Sequence, residues 1–308
     1  MFLFGAGASH GCGESVIPYN PPLGNDLYNK LVSDSNSLYW RTTKFPYNLT
    51  KEFSINFESA FSKLVDYYES NIVREGSFNL QGLQIELADY LFKFSIPNDF
   101  TNNYYYKLLK TLINNNLILN SNYSSLNYDC ILERILEKMK IKYSSYLGNG
   151  DEIYKGESLL LKPHGSSNYI IRNLGGKNAI FSHRLDLDLL IDEIKFKSFS
   201  EIYRLRHISG LWPVMSLYNF TKDSKICKTS MSNIRKKWAY EINKASHIIV
   251  IGVKFNRKDK HIWQPINHSK AKLIFFGEKL VDFGRKKKVQ VIENKHFNES
   301  CVDFINYL

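Results

Sequence analysis

Short apolar runs that stop at a glycine punctuate this chain: Phe2-Leu3-Phe4 before Gly5, Ile248-Ile249-Val250-Ile251 before Gly252, and Leu273-Ile274-Phe275-Phe276 before Gly277. Runs without polar–apolar alternation belong to strands covered on both faces, as in a parallel sheet. A glycine at the end of such a strand lets the chain turn sharply into the next element. Strand character also marks Tyr123 to Leu126, Ser158 to Lys162 and Val289 to Ile292, with helical patterns between these segments. The expected fold class is therefore α/β: a Rossmann-like, mostly parallel sheet with helices on both faces.

Several helical segments fall between the first and second strands. Asn25-Asp26-Leu27 caps a helix running toward Ser33, and Ile55 to Tyr68 places Phe57, Phe61, Leu64 and Val65 on one face. Leu83 to Phe92 and Tyr104 to Ile113 follow, so residues 35–115 read as an inserted helical layer. Later helices are expected from Asp129 to Met139, from Ser232 to Ala245 and at the C-terminal end. Residues 166–231 show aromatic residues, Gly175-Gly176 and no clean period, which suggests a less regular second lobe or lid with Gly175, Gly176 and Gly210 as hinges. Without an internal repeat or a long linker, 1–308 reads as a single domain.

Composition narrows the class. Cys12, Cys130, Cys227 and Cys301 are scattered singly, which excludes a C-x-x-C zinc ribbon and any obvious disulfide framework and fits reduced thiols in a cytoplasmic protein. No apolar run approaches the roughly 20 residues of a membrane span, and the first residues lack a basic n-region, so no membrane partner is expected. The net charge of +11 is unevenly placed: residues 222–295 hold 19 Lys/Arg against 6 Asp/Glu, and the rest is nearly balanced. Arg285-Lys286-Lys287-Lys288 is the densest run. It is either a solvated loop between strands or a patch for nucleic acid, an acidic partner subunit or nucleotide phosphates.

Three segments carry candidate chemistry. Gly5-Ala6-Gly7-Ala8-Ser9, followed by Gly11, is a variant of the dinucleotide turn; a tight turn without ligand is its other reading. An ordinary dehydrogenase also wants an acidic residue about 20 positions on, at the end of a second strand. Asp26 has the distance but lies in a helix cap. In Leu126-Asn127-Tyr128-Asp129, the polar residues sit where a strand ends, and Asp129 serves equally as a cap for the next helix and Asn127 as a turn former. In Pro163-His164-Gly165, the imidazole is a base usable near neutrality, or a buried histidine bonded to main chain. His183, His207, His247, His261, His268 and His296 have no comparable setting and no metal-ligand spacing, so no metal is expected.

Taken in order, Gly-Ala-Gly-x-Ser, Leu-Asn-Tyr-Asp, Pro-His-Gly and the strand ending Ile251-Gly252-Val253-Lys254-Phe255 resemble the sirtuin-like family. The likeness is closest to sirtuin-like domains of bacterial anti-phage defence systems. In sirtuins the glycine turn cradles NAD, an Asn and an Asp of a Thr-Gln-Asn-Ile-Asp segment line the nicotinamide side, and a His before Gly is the base. The resemblance implies NAD contacts from Gly5, Ala6, Gly7, Ala8, Ser9, Asn127, Asp129, Gly252, Val253, Gly277 and Glu278, with Asn127 and His164 catalytic.

Two departures turn the implied activity away from protein deacylation. The four-cysteine zinc ribbon cannot be built, and Ile17-Pro18-Tyr19-Asn20-Pro21-Pro22-Leu23-Gly24 replaces the Pro-Asp-Phe-Arg element of the deacetylases. What the resemblance then implies is an NAD glycohydrolase, with NAD as substrate and water as acceptor. As a defence effector it would be restrained by homo-oligomerisation or by a partner such as a ring translocase ATPase or an Argonaute-like protein. The alternatives are a non-catalytic NAD- or ADP-ribose-binding or scaffold subunit, and an NAD-dependent deacylase. A metal-dependent nuclease ranks last, because the sequence offers no convincing carboxylate cluster.

Overall fold

A computed structural model describes residues 1–70, 79–149, 156–172, 190–193, 201–202, 206, 212–217, 227–257, 259–277, 289–292, 297–298 and 302. Ten strands run in chain order among them: β1 (Phe2–Phe4), β2 (Tyr123–Ser125), β3 (Tyr143–Ser145), β4 (Ser158–Leu161), β5 (Gly165–Arg172), β6 (Leu190–Glu193), β7 (Pro213–Met215), β8 (His247–Ile251), β9 (Lys272–Phe276) and β10 (Val289–Ile292). Seven form one sheet in the order β10-β9-β8-β1-β2-β4-β3, and every neighbouring pair is parallel. The α/β, Rossmann-like class expected from the glycine-terminated apolar runs is the class observed.

Strand order locates the switch point of the sheet. The chain builds outward from β1 through β2 to β4 and β3, then returns to add β8, β9 and β10 on the other side of β1. The reversal point lies between β1 and β8, whose following helices cover opposite faces of the sheet; in open α/β sheets this is the position beyond the carboxyl strand ends where ligands bind.

Period-two alternation divides the apolar residues between the two faces of the sheet. Phe2, Phe4, Ile249, Ile251, Ile274 and Phe276 belong to one buried cluster, and Leu3, Ile248, Val250, Leu273 and Phe275 to the other. The second face is covered by Trp238 and Ile242 of one helix and Ile262, Trp263 and Ile266 of another. The first receives the helical layer: α1 (Ala6–His10), α2 (Gly24–Ser33), α3 (Leu38–Thr42), α4 (Tyr47–Phe53), α5 (Phe57–Ser70), α6 (Leu80–Phe92), α7 (Tyr104–Asn114) and α8 (Ile131–Lys138). The helices over the second face are α9 (Lys228–Lys244) and α10 (Lys260–His268).

Details differ from the sequence reading in instructive ways. Helix α2 starts at Gly24, with Leu23 as N-cap and no side-chain cap bond, so Asn25 and Asp26 lie in its first turn instead of capping it. Helices α3 and α4 were not anticipated, because five and seven residues are too few to display a helical period. They are held by tertiary contacts: both Glu86 carboxylate oxygens accept from the Tyr39 and Trp40 amides, and the Trp40 indole donates to the Leu83 carbonyl at 2.8 Å. Part of the stretch read as irregular is a second, antiparallel sheet in the order β6-β5-β7. Gly175, Gly176, Gly210 and the Arg285–Lys288 run lie outside the described residues, as does the expected terminal helix apart from the single helical residue Val302. Among the described residues no helix is long and apolar enough to cross a membrane.

The tightest constraint sits at the reversal point. Gly252 has φ +65, and a Cβ there would lie 2.1 Å from the Ala8 amide nitrogen. Gly252→Ala is expected to lower the unfolding free energy by about 3 kcal/mol or more, combining left-handed strain with a backbone clash. Gly24→Ala, exposed and with nothing near its Cβ position, should stay within about 0.5 kcal/mol. Urea denaturation of the two variants checks both.

Candidate functional site

Parallel register brings the sequence motifs to one edge. Phe4 lies opposite Ser125 and Ile251, and Ser124 lies opposite Leu161. Gly252, Gly5, Asn127 and His164 therefore follow the carboxyl ends of four adjacent strands, β8, β1, β2 and β4. Gly277 follows β9, the next strand out. Glu278 lies outside the described residues.

The glycine turn is a backbone-to-backbone joint. Gly5 N–H donates to the Ile251 carbonyl at 3.0 Å, and Gly7 N–H to the Gly252 carbonyl at 2.9 Å. A Cβ on Gly5 would stand 2.5 Å from the Gly252 oxygen. Here the glycines are required by chain-on-chain contact, and these two amides are engaged inside the protein. Ala6 is exposed at the tip of the turn, Gly7 is half-buried, and Ala8, Ser9 and Val253 are buried. The following loop is also tied down: the His10 ring bonds the Pro21 carbonyl, Asn20 donates to the His10 carbonyl, and Ile17 pairs with Ser95 in both directions.

Asn127 is fixed with one atom left over. Its Nδ2 donates to the Gly5 carbonyl and to Ser9 Oγ, each at 2.9 Å. A carbonyl only accepts, so the amide nitrogen must face Gly5 and the flip is determined. Asn127 Oδ1 is buried and has no hydrogen-bond partner among the described residues, in a residue only 6% exposed. Such an acceptor costs about 1–3 kcal/mol when left unpaired.

Behind Asn127 lies a buried polar chain. Ser9 Oγ donates to Asp129 Oδ1 at 3.2 Å and lies 3.3 Å from the Tyr105 hydroxyl. Asp129 Oδ1 also accepts from Ile131 N–H at the start of α8, so it does cap that helix from the position before the N-cap Cys130. Lys162 Nζ donates to the Asp129 carbonyl at 2.6 Å and to Glu133 Oε1 at 2.7 Å, all within the core. Burial pushes the Asp129 carboxyl above the usual carboxylate range, against the pull of Lys162. Burial pulls the Lys162 ammonium down, yet Glu133 and other neighbours push it up by more. The Lys162–Glu133 pair was not anticipated; Lys162 looked like the polar end of a strand.

His164 sits in a turn clamped from three sides. Gly165 has φ +82, and a Cβ there would meet the Val214 oxygen at 2.2 Å. Arg235 Nε on α9 donates to the Pro163 carbonyl at 3.0 Å, and Ser216 N–H to the His164 carbonyl at 2.7 Å. Tyr128 O–H donates to the Ser216 carbonyl and Ser167 N–H to the Tyr128 carbonyl, joining this turn to the Asn127 segment. The ring itself is buried, with Nε2 3.0 Å from His261 Nε2. That contact corrects the reading of His261 as a histidine without a notable setting; 97 positions separate the two, and no local pattern signals their meeting. Among the described residues no group of three or more His, Cys, Asp or Glu side chains comes together to hold a metal ion.

The arrangement offers an anchored hydrogen-bond acceptor and an imidazole on adjacent strand ends near the switch point of the sheet. Solved structures similar to this fold include a mutant Sir2 homologue in complex with ADP-ribose, at 11% identity over 100% of this chain and 90% of that chain with a TM-score of 0.45. Others are a Sir2 homologue–NAD complex (11%, 100% and 88%, TM-score 0.42) and Sir2Tm bound to a propionylated peptide (13%, 99% and 90%, TM-score 0.43). No protein-family model matches the chain, and no curated protein matches it.

Two outcomes follow from the buried charges. Lys162→Met leaves Glu133 in the core without its cationic partner, with an expected loss of about 3–5 kcal/mol, most of it recovered when Glu133→Leu is added. The pair of denaturation curves measures this. Because the folded-state pKa of Asp129 is raised, the native protein keeps a proton that the unfolded chain has lost at pH values just above about 4. That contribution to stability therefore falls as pH rises through the folded value. Asp129→Asn keeps an acceptor for Ser9 and Ile131 and should flatten this slope in urea titrations between acid and neutral pH.

Proposed function

We propose that this chain is a sirtuin-like NAD glycohydrolase, converting NAD⁺ and water to nicotinamide, ADP-ribose and a proton. The observation that carries the reading is Asn127: a side chain locked by Gly5 and Ser9, presenting an unpartnered buried acceptor at the end of β2. A ribose hydroxyl or a water molecule is a donor that would satisfy it. Fixing such a group beside the anomeric carbon is the positional part of catalysis. His164, two strand ends' width from the glycine turn, supplies the base that takes a proton from the water or ribose, a contribution of about 10²- to 10⁴-fold.

The pyrophosphate is assigned to the strand ends of β1 and β8, with Ala6 at the exposed tip, Gly7, Gly252 and Val253 as the approach, Ala8, Ser9 and Asp129 as the buried residues beside it, and Gly277 after β9 on the adenosine side; a contact from Glu278 is carried only by the resemblance. The engaged amides of Gly5 and Gly7 make their role one of shaping the turn. A second reading is a non-catalytic subunit that binds NAD or ADP-ribose or serves as a scaffold, and the engaged amides, which leave neither group to a phosphate, favour its scaffold form. Deacylation is disfavoured by the scattered cysteines and the altered loop after the glycine turn. In the cell the reading is of a cytoplasmic anti-phage effector held in check by homo-oligomerisation or by a partner of the translocase or Argonaute-like kind.

Incubation of the purified chain with NAD, with nicotinamide followed by chromatography and mass detection, tests the assignment. Release is expected for the wild type and a loss of about 10²-fold or more for Asn127→Ala and His164→Ala, with circular dichroism unchanged. Full turnover in both variants would overturn the catalytic roles. Tight NAD binding without product would favour the second reading, and an absence of binding would reject both.

A further inference from the structure

The hydrolysis proposed above releases one proton per turnover, and its base is shut away from solvent: His164 is 2% exposed. A buried base must pass each proton onward before it can act again. His164 Nε2 is already engaged, 3.0 Å from His261 Nε2, with ring centroids 5.1 Å apart. His261 is half-buried and lines an open groove of about 410 Å³ between α9 and α10, together with Arg235, Lys236, Gln264 and His268. The pair thus spans from the buried turn after β4 to a solvent-accessible surface on the other side.

We propose that His261 is the proton outlet of His164. The inference rests on the base role assigned to His164. Imidazole can accept on one nitrogen while donating from the other, and two neutral rings in contact share a single N–H···N hydrogen bond. Since Nε2 of His164 faces His261, the proton from the attacking water arrives on His164 Nδ1. The hydrogen on His164 Nε2 passes to His261 Nε2, making His261 the imidazolium. His261 then loses its Nδ1 hydrogen to water in the groove, and each ring regains its starting tautomer by proton exchange with water, one hydrogen gained at one nitrogen as one is lost from the other, which leaves the net proton count unchanged. Atoms balance: the C1′–N bond to nicotinamide breaks, a C1′–O bond forms, and one proton leaves through the groove.

The groups around the outlet favour release. Arg235 and Lys236 from α9 and His268 from α10 share the groove with His261, so a lasting imidazolium there faces like charge. Asp259, buried at the N-cap of α10, is the acidic group of the same helix start. Arg235 has a second duty, since its guanidinium also holds the Pro163 carbonyl and Ser216 Oγ. His261 is accordingly a positioning and relay residue, and His164 remains the group that touches substrate.

Two measurements separate this from simple packing and from failure of the hydrolase reading. In ¹⁵N-imidazole NMR titrations, His164 and His261 should titrate as a coupled pair in the wild type, and His261→Gln should move the His164 midpoint. An unmoved His164 midpoint would overturn the pairing whether or not the protein hydrolyses NAD. In turnover assays, His261→Phe and His261→Gln should lower kcat about ten- to a hundredfold, with KM within about twofold. Added imidazole should restore much of the loss. Variants as fast as the wild type, or slowed variants indifferent to imidazole, would overturn the relay. A wild type that binds NAD and releases no nicotinamide would instead overturn the hydrolase reading and leave the NMR titration to decide the pair.

Discussion

The contact between the β1–α1 turn and the end of β8 is the constraint on which the rest is arranged. Backbone meets backbone there without a side chain between, through Gly5 and Gly7 on one strand end and Gly252 on the next. This close approach occurs where the strand order reverses, so the same joint that completes the sheet also marks its switch point. It sets the position of the Gly5 carbonyl, which holds the Asn127 amide, and of Ser9, which holds it from the other side. Any enlargement at the joint would displace the candidate site along with the sheet.

Polar burial follows from that geometry. Parallel strands end together, and the side chains just beyond them leave the apolar layer while still covered by the helices above. Ser9, Asn127, Asp129, Lys162 and Glu133 lie in this layer, and every one is at most 6% exposed. Stability alone would favour apolar residues in several of these places, since a buried ion pair contributes little net stabilisation. This buried polar layer, with Asn127 Oδ1 unpartnered among the described residues, is the feature on which the proposed function rests.

Much of the fold was legible because a parallel sheet writes itself into sequence as uninterrupted apolar runs. Strands β8 and β9 and the longer helices α5, α6 and α7 carry enough residues for their pattern to show, and the three residues of β1 are marked by being wholly apolar and stopped by Gly5. Strand β3 and helices α3 and α4 do not. They are three to seven residues long and exist because larger elements hold them, as Glu86 and Leu83 hold Trp40. The antiparallel β5–β6–β7 sheet was hidden for a related reason: its strands are separated by long intervals, and the pairing that defines them is non-local.

By itself the sequence determined the fold class, the strand ends bearing Gly5, Asn127, His164 and Gly252, and the chemical character of the residues placed there. All of these depend on local order: an apolar run, a glycine, a polar residue just after. Tertiary structure alone decided which of these residues meet. It placed His261 against His164 across 97 positions and Lys162 against Glu133 across 29. It also turned the first glycines into a packing joint, with their amides engaged by β8. Side-chain pairing across a sheet edge is set by strand order and register, and neither is recorded in the neighbourhood of any one residue.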